Sequence, residues 1–196
     1  MNSFYSKDEL AHIGFKSLGT QNVMISRKAC IYGAENISIG NNVRIDDFCI
    51  LSGNIIIGNH VHLAAYVSLF AGSSGIILKD FVGISSRTAV YAESDDYTGI
   101  ALTNPTIPKK YRNIIVGKVI FEKHSLVGTG CTVLPNVTVG EGASIGAMSL
   151  INKSIEPWTI SIGIPCKVVR YRSHDLLKLE NEFLQNSKGN IQCSTN

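Results

Sequence analysis

The sequence predicts an all-β chain wound as a parallel solenoid, with a protruding loop and a short C-terminal α-helix. Three observations carry this. In the stretch Phe121 to Asn152 a bulky residue returns every six positions, at Phe121, Val127, Val133, Val139, Ile145 and Ile151. Gly128, Gly140 and Gly146 directly follow three of these residues. The same count runs through Ile39, Ile45, Leu51, Ile57, Leu63 and Leu69. Six matches neither the period of about 3.6 of an amphipathic helix nor the alternation of a half-buried strand. It is the signature of hexapeptide β-helix repeats, whose short strands stack into a coil.

At 196 residues and 44% apolar content, the chain can bury one sizeable core. The expected organisation is an N-terminal helical segment (1–19), a solenoid (20–172) with an arm loop (91–114), and a C-terminal helix and tail (173–196). The formal charge of +3, with no run of five or more Lys or Arg, excludes an electrostatic footprint for nucleic acid. MNSFYSKDEL lacks the apolar core of a signal peptide, and no apolar run approaches the length of a membrane span. A soluble, cytoplasmic protein is expected. The five cysteines form no CxxC pair. Cys49 and Cys131 fall two positions before Leu51 and Val133, a phase of small or aliphatic residues, so they read as core hydrophobes in a reducing compartment.

In chain order, Ser6 and Glu9 have the spacing of a helix capping box, with Gly14 as a stop. The six-residue count starts at Ile25, Ile31 and Ile37, slips by two, and continues from Ile39. AGSSG at 71–75 adds three residues before Leu78, Ile84 and Val90 resume the count. Such insertions belong at solenoid corners, where they project without disturbing the stack. Between Val90 and Ile115 the pattern stops for 24 residues, with acids first (Glu93, Asp95, Asp96) and bases later (Lys109, Lys110, Arg112). A loop of this length in a compact domain is functional or disordered, and its aromatic, Pro and Asn content is not that of a flexible linker. The coil resumes at Ile115. The repeat residues and those two positions earlier (Val119, Ser125, Cys131, Val137, Ala143, Ser149) are expected inside, in turns of about eighteen residues. Ser173 is a candidate cap for a helix from His174 to Gln185, with Leu176, Leu177, Glu180, Phe183 and Leu184 on one stripe, and 187–196 reads as a frayed tail.

The hexapeptide run, followed by Lys153, Pro157 and the GIPCKVV segment at 163–169, resembles the left-handed β-helix acyltransferases, most of all the maltose, galactoside and surface-polysaccharide acetyltransferases. The resemblance spans residues 20–172. It implies a homotrimer using acetyl-CoA, with active sites in clefts between neighbouring coils and an arm (91–114) that reaches to an adjacent subunit. It places Gly146 and Ala147 along the pantetheine arm, Lys153, Lys167 and Arg170 near the CoA phosphates, and Pro165 beside them. It sets the backbone N–H of Thr129 at the thioester carbonyl. One departure stands out. Maltose and galactoside acetyltransferases carry a catalytic histidine in a G-H-P motif where this chain has Asp95, and their partner asparagine falls near Val67.

Acetyl transfer needs a nucleophile, a route for its proton and a stabilised oxyanion. A sugar hydroxyl favours a base of near-neutral pKa, whereas Asp titrates near 3.9 unless burial or a neighbouring acid raises it. Asp96 beside Asp95 is such a neighbour. An amine acceptor relaxes the requirement, so the missing histidine favours an amino sugar. The candidate catalytic residues are therefore Asp95, Asp96 and His62, the last expected to line the acceptor cleft and share a proton with an arm aspartate. The plain alternatives are a solvated turn for the aspartates and a surface position for His62. Tyr66, Arg87 and Tyr91 are further residues that could reach the acceptor. His60 and His62 form an H-x-H pair, but zinc needs three or four ligands and no third histidine is close in sequence, so no metal is expected. His124, in FEKHS, reads as a solvated corner. The function expected is acetyl-CoA-dependent acetylation of a hydroxyl or amino group on a nucleotide-linked or polysaccharide-precursor sugar, as in O-antigen synthesis. The alternatives are a non-catalytic β-helix scaffold and, behind it, a zinc-dependent hydratase on the same fold.

Overall fold

The computed structural model describes residues 3–192, with side chains to residue 186. Three columns of inward-facing residues define a triangular parallel β-helix. The first face stacks Leu18, Ile39, Ile57, Leu78, Phe121 and Val139. The second stacks Ile25, Ile45, Leu63, Ile84, Val127 and Ile145. The third stacks Ile31, Leu51, Leu69, Val90, Val133 and Ile151. The strands are parallel throughout these columns, and uninterrupted coils repeat every eighteen residues, as from Val127 to Ile145. The residues two positions earlier are also interior: Val119, Ser125, Cys131, Val137, Ala143 and Ser149 are all at most 3% exposed. Charge is absent from both phases because a carboxylate or ammonium there would have no water and no counter-ion.

The departures from the strict count gather at one corner, between the third and first faces. The slip between Ile37 and Ile39 comes from a 3₁₀ turn, Ala34–Asn36, placed before the strand rather than within it. Ile37 therefore belongs to the earlier interior row, in register with Ile55 and, through it, Ile76. The AGSSG insertion does not simply project. It lies within a continuous strand, Ser68–Leu78, paired to Ile50–Ile57 with register shifts around Gly53. The arm leaves from the same corner one coil later, as an antiparallel ladder of Glu93–Asp95 with Ile114–Val116. The Glu93 carboxylate accepts from the Ser73 amide at 2.7 Å and the Ser73 hydroxyl at 2.9 Å, tying the arm root to the insertion above it.

At the N-terminus, helix α1 (Lys7–His12) has its capping box: the Ser6 hydroxyl accepts from the Glu9 amide, and the Glu9 carboxylate accepts from the Ser6 amide. The first strand of the coil is already present at Ser17–Leu18. At the other end, α2 runs over Leu176–Gln192, beginning later and ending later than the sequence suggests. Residues 187–192, read as tail, continue the helix, and Cys193 with the last three residues lies outside the described residues.

α2 packs across the second face, which corrects the reading of His124. That side chain is 9% exposed, and its Nε2 lies 2.8 Å from the Glu180 carboxylate. Lys123 reaches the other oxygen at 2.5 Å. Burial by itself would raise the pKa of Glu180, but hydrogen bonds from Lys123 and His124 hold it below the ordinary glutamate range. A carboxylate with a depressed folded pKa contributes stability above its unfolded value, near 4.3, and loses it as pH falls through the folded value. Docking of α2 is therefore expected to persist through neutral pH and fail only below about pH 4. Glu180→Gln should release it at pH 7, read as faster amide exchange across 176–186. Unchanged exchange would show that apolar contacts alone hold the helix.

Candidate active site

Corners between the second and third faces carry most of the residues expected to contact acyl-CoA. On successive coils the chain turns there at Ser86–Arg87, Thr129–Gly130 and Ala147–Met148, each stacked on the last through Gly130 N–H to Ser86 O at 2.9 Å and Met148 N–H to Thr129 O at 2.8 Å. Those bonds use the second corner amide and leave the first unused. The amides of Ser86, Thr129 and Ala147 have no protein acceptor among the described residues. Three unpaired N–H groups at the spacing of stacked strands, about 4.8 Å, form a ladder suited to successive carbonyls of a pantetheine chain. Thr129 is fixed by its hydroxyl, which donates to the Ser86 carbonyl at 2.7 Å. Gly128 keeps this spacing, since a Cβ there would lie 2.6 Å from the Ala147 nitrogen.

Below the corner the interior is polar where it must be. The Ser149 hydroxyl donates to the Gly146 carbonyl at 2.7 Å and accepts from the Gly163 amide at 3.0 Å. The Cys131 thiol donates to the same Gly146 carbonyl at 3.3 Å, and burial pushes its pKa up. Cys49 behaves likewise, raised to about 11 by burial. Both are the core thiols the sequence suggests. Pro165 follows in the next turn, after Gly163 accepts from Leu150 N–H at 3.0 Å. Lys167 and Arg170 lie on the exposed strand Lys167–Tyr171, antiparallel to Thr159–Ile162 on the second face. Lys153 is set apart, exposed after Ile151 at the corner between the third and first faces.

The arm aspartates differ from one another. Asp96 is 5% exposed and accepts from the Thr98 amide and hydroxyl at 3.0 and 2.8 Å. The Thr98 amide, then its hydroxyl, hold the Asp96 carboxyl below the usual aspartate range. Asp96 thus organises the arm turn, and it becomes a weaker base rather than a stronger one. Asp95 is half-buried, with Oδ2 accepting from the Asn104 amide at 3.1 Å.

Within the chain the partner of His62 is Asp46 rather than either arm aspartate. His62 sits on the second face, with Nε2 2.8 Å from Asp46, which also binds Arg44 at 2.7 Å. Asp46 is partly desolvated, yet His62 and Arg44 keep it charged, with its pKa lowered. His60 lies elsewhere, stacked on Phe81 at 4.7 Å and met edge-on by Phe183 at 5.2 Å. The H-x-H pair is therefore divided between two environments, and among the described residues no group of three or more His, Cys, Asp or Glu is poised for a metal ion. Val67 is fully buried, in keeping with its inability to replace an asparagine.

The arrangement has a gap in one chain. Asp95 and the Thr129 amide flank opposite edges of the third face, whose strands of three or four residues set them roughly 10–15 Å apart at about 3.3 Å per residue. What the sequence did not reveal is the unpaired state of the Ser86 amide, because periodicity marks interior positions and says nothing of corner hydrogen bonds.

Comparison with known proteins agrees with this fold. Residues 36–71 match the family described as bacterial transferase hexapeptide (six repeats). The chain is 43% identical over 190 residues to an Escherichia coli dTDP-4-amino-4,6-dideoxy-D-glucose acyltransferase, covering 95% of this chain and 98% of that one. It is 26% identical over 145 residues to the putative lipopolysaccharide biosynthesis O-acetyl transferase WbbJ of E. coli K12, covering 72% and 71%. Among solved structures, AntD, an N-acyltransferase from Bacillus cereus in complex with dTDP and 3-hydroxybutyryl-CoA, superposes with a TM-score of 0.94 at 52% identity, covering 96% of this chain and all of that one. With likeness of this extent, the chain belongs to the hexapeptide-repeat family of sugar acyltransferases.

Proposed function

We propose that this acyltransferase moves an acetyl group from acetyl-CoA to the amino group of a dTDP-linked 4-amino-6-deoxy sugar, as a cytoplasmic homotrimer serving surface-polysaccharide synthesis of the O-antigen type. The observation that carries this reading is the end-to-end likeness to the dTDP-4-amino-4,6-dideoxy-D-glucose acyltransferase. The chemistry of the site supports it. A neutral amine attacks the thioester carbon without prior deprotonation, so a site with no histidine at the arm root suffices. The new C–N bond places negative charge on the carbonyl oxygen, and the Thr129 amide is the donor for it. Collapse breaks the C–S bond, expels the CoA thiolate, and leaves the amine proton to pass to Asp95. Lys167 and Arg170 serve the CoA phosphates, with Pro165, Gly146 and Ala147 along the chain between; Lys153 contributes from the edge of the site.

Two features support the trimer. Asp95 and Thr129 lie too far apart in one chain, so each site needs Asp95 from one subunit and the amide ladder from its neighbour. The arm is also apolar where it is exposed, with Tyr97 90%, Ile100 80% and Tyr111 52% accessible, as suits a segment that docks on another subunit. The test is CoA thiol release from acetyl-CoA with dTDP-4-amino-4,6-dideoxyglucose; no release at millimolar substrates would end the proposal. Asp95→Asn is expected to lower kcat about tenfold, the low end for proton-transfer groups. His62→Ala, whose ring is engaged by Asp46, should stay within about threefold by the same scale. The reverse ranking would return the base to the second face.

A further inference from the structure

AGSSG at 71–75 lengthens its coil by three residues, and the added segment lies against the arm root one coil below. Up to Ala92 the chain is tied to that coil by backbone bonds. The last of them among the described residues runs from Ala92 N–H to the Phe70 carbonyl at 2.9 Å. Beyond it the tie passes to a side chain, since Oε1 of Glu93 accepts from the Ser73 amide at 2.7 Å and its hydroxyl at 2.9 Å. We propose that Glu93 is a positioning residue for Asp95, and that the insertion is the anchor from which it acts. This deepens the acyltransferase reading and rests on it.

The strand geometry is the first argument. Glu93 and Asp95 are alternate residues of one short strand, Glu93–Asp95, so their side chains leave the same side about 6.6 Å apart. That strand pairs with Ile114–Val116 in a sheet of two strands, a ribbon that is marginal by itself in water. The Glu93 contact joins the ribbon to the solenoid and so sets where Asp95 stands. Asp95 has to receive a proton at a site completed by another subunit, and a base displaced by an ångström or so loses much of its effect.

The second argument is that the anchor is built from several residues that the solenoid count does not explain. Asn54 Nδ2 donates to the Ser73 carbonyl at 3.0 Å, fixing the residue whose N–H and O–H face Glu93. Gly72, at φ 49°, leaves the necessary room, because a Cβ on it would lie 2.1 Å from the Glu93 carboxyl carbon. Gly53 in turn lets the Gly72 backbone come close, a Cβ there meeting the Gly72 carbonyl oxygen at 2.5 Å. The line of support therefore runs from Asn54 and Gly53 through Gly72 and Ser73 to Glu93, and from Glu93 along the strand to Asp95.

Glu93→Ala is expected to lower kcat about tenfold, as Asp95→Asn does, with the KM for acetyl-CoA unchanged. Glu93→Gln keeps an oxygen that accepts from Ser73 and should stay within about threefold of wild type. Glu93→Ala combined with Asp95→Asn should be no slower than Asp95→Asn alone, because a misplaced base and an absent one cost the same. Gly72→Ala, which pushes the carboxylate off Ser73 but leaves Glu93 in the chain, should reproduce the Glu93→Ala loss. Amide exchange across 93–95 and 114–116 should quicken in Glu93→Ala, with thermal midpoints confirming that the solenoid stays folded. A wild-type kcat in Glu93→Ala overturns the positioning role, and so do losses that multiply in the double variant. Glu93→Gln as slow as Glu93→Ala also overturns it, since the charge rather than the contact with Ser73 would then matter. A wild-type protein that releases no CoA with the amino sugar overturns the function itself, and the exchange rates then decide the anchor separately.

Discussion

Thr129→Pro is expected to lower kcat by about a hundred- to a thousandfold, the range for loss of one oxyanion donor, while Thr129→Ala remains within about tenfold of wild type. Proline removes the amide hydrogen and alanine keeps it. The comparison is clean because the fold already accepts proline at this corner position. Pro135 and Pro157 each precede a residue of positive φ, Asn136 and Trp158, just as Thr129 precedes Gly130 at φ 69°. The bond from Gly130 N–H to Ser86 O is retained in both variants. Both also lose the Thr129 hydroxyl contact with Ser86, so that loss cancels between them. Rates at saturating acetyl-CoA and acceptor, with thermal midpoints to confirm folding, are the measurement. Equal rates in the two variants would mean that the Thr129 amide faces no developing charge.

How far the sequence discloses this depends on the range of the interaction concerned. Interior rows such as Leu51, Leu69 and Val90 are legible because a six-residue period needs no knowledge of distant contacts. The phase of Ile37 is not, since the count records a slip of two but not that the 3₁₀ turn at Ala34–Asn36 lengthens a corner rather than a strand. His124 eluded the count for the opposite reason. Its partner Glu180 lies 56 residues away, on a helix whose docking face periodicity cannot assign. The helix stripe did include Glu180, and its buried position shows that the stripe marks the docked face even where the residue is charged.

The site divides along the same line. Thr129, Gly146, Ala147 and Pro165 fall together because they occupy equivalent corners of consecutive coils, so one correct register places them all. Asp95, Asp96 and His62 have no such constraint. Two adjacent aspartates look alike in sequence, yet Thr98 takes Asp96 for the turn and leaves Asp95 with one amide partner. His62 reads from sequence as a cleft residue, and the partner the sequence does not name is Asp46, one coil above.

The arm also divides the solenoid into an upper and a lower set of coils. Coils above and below it are joined by three ladders: Ile76–Leu78 to Val119–Phe121, Gly83–Ile84 to Leu126–Val127, and Ala89–Val90 to Thr132–Val133. Phe121 is fully buried at this junction, in register with Leu78 above and Val139 below. Phe121→Ala is expected to cost about 3–5 kcal/mol, the range for a buried phenylalanine whose cavity cannot fully collapse. For a chain of this size that corresponds to a fall in Tm of roughly 6–20 °C. In a solenoid, stability is a sum of repeat terms and nearest-neighbour couplings. Damage at the coupling across the arm should therefore broaden or split the transition, the N-terminal coils melting apart from the C-terminal ones. Leu51→Ala, a fully buried leucine within the uninterrupted upper coils, should lower Tm without splitting it. A calorimetric scan that stays single and sharp for Phe121→Ala, with Tm within about 2 °C of wild type, would show the junction repacking and the two halves coupled by contacts other than this side chain.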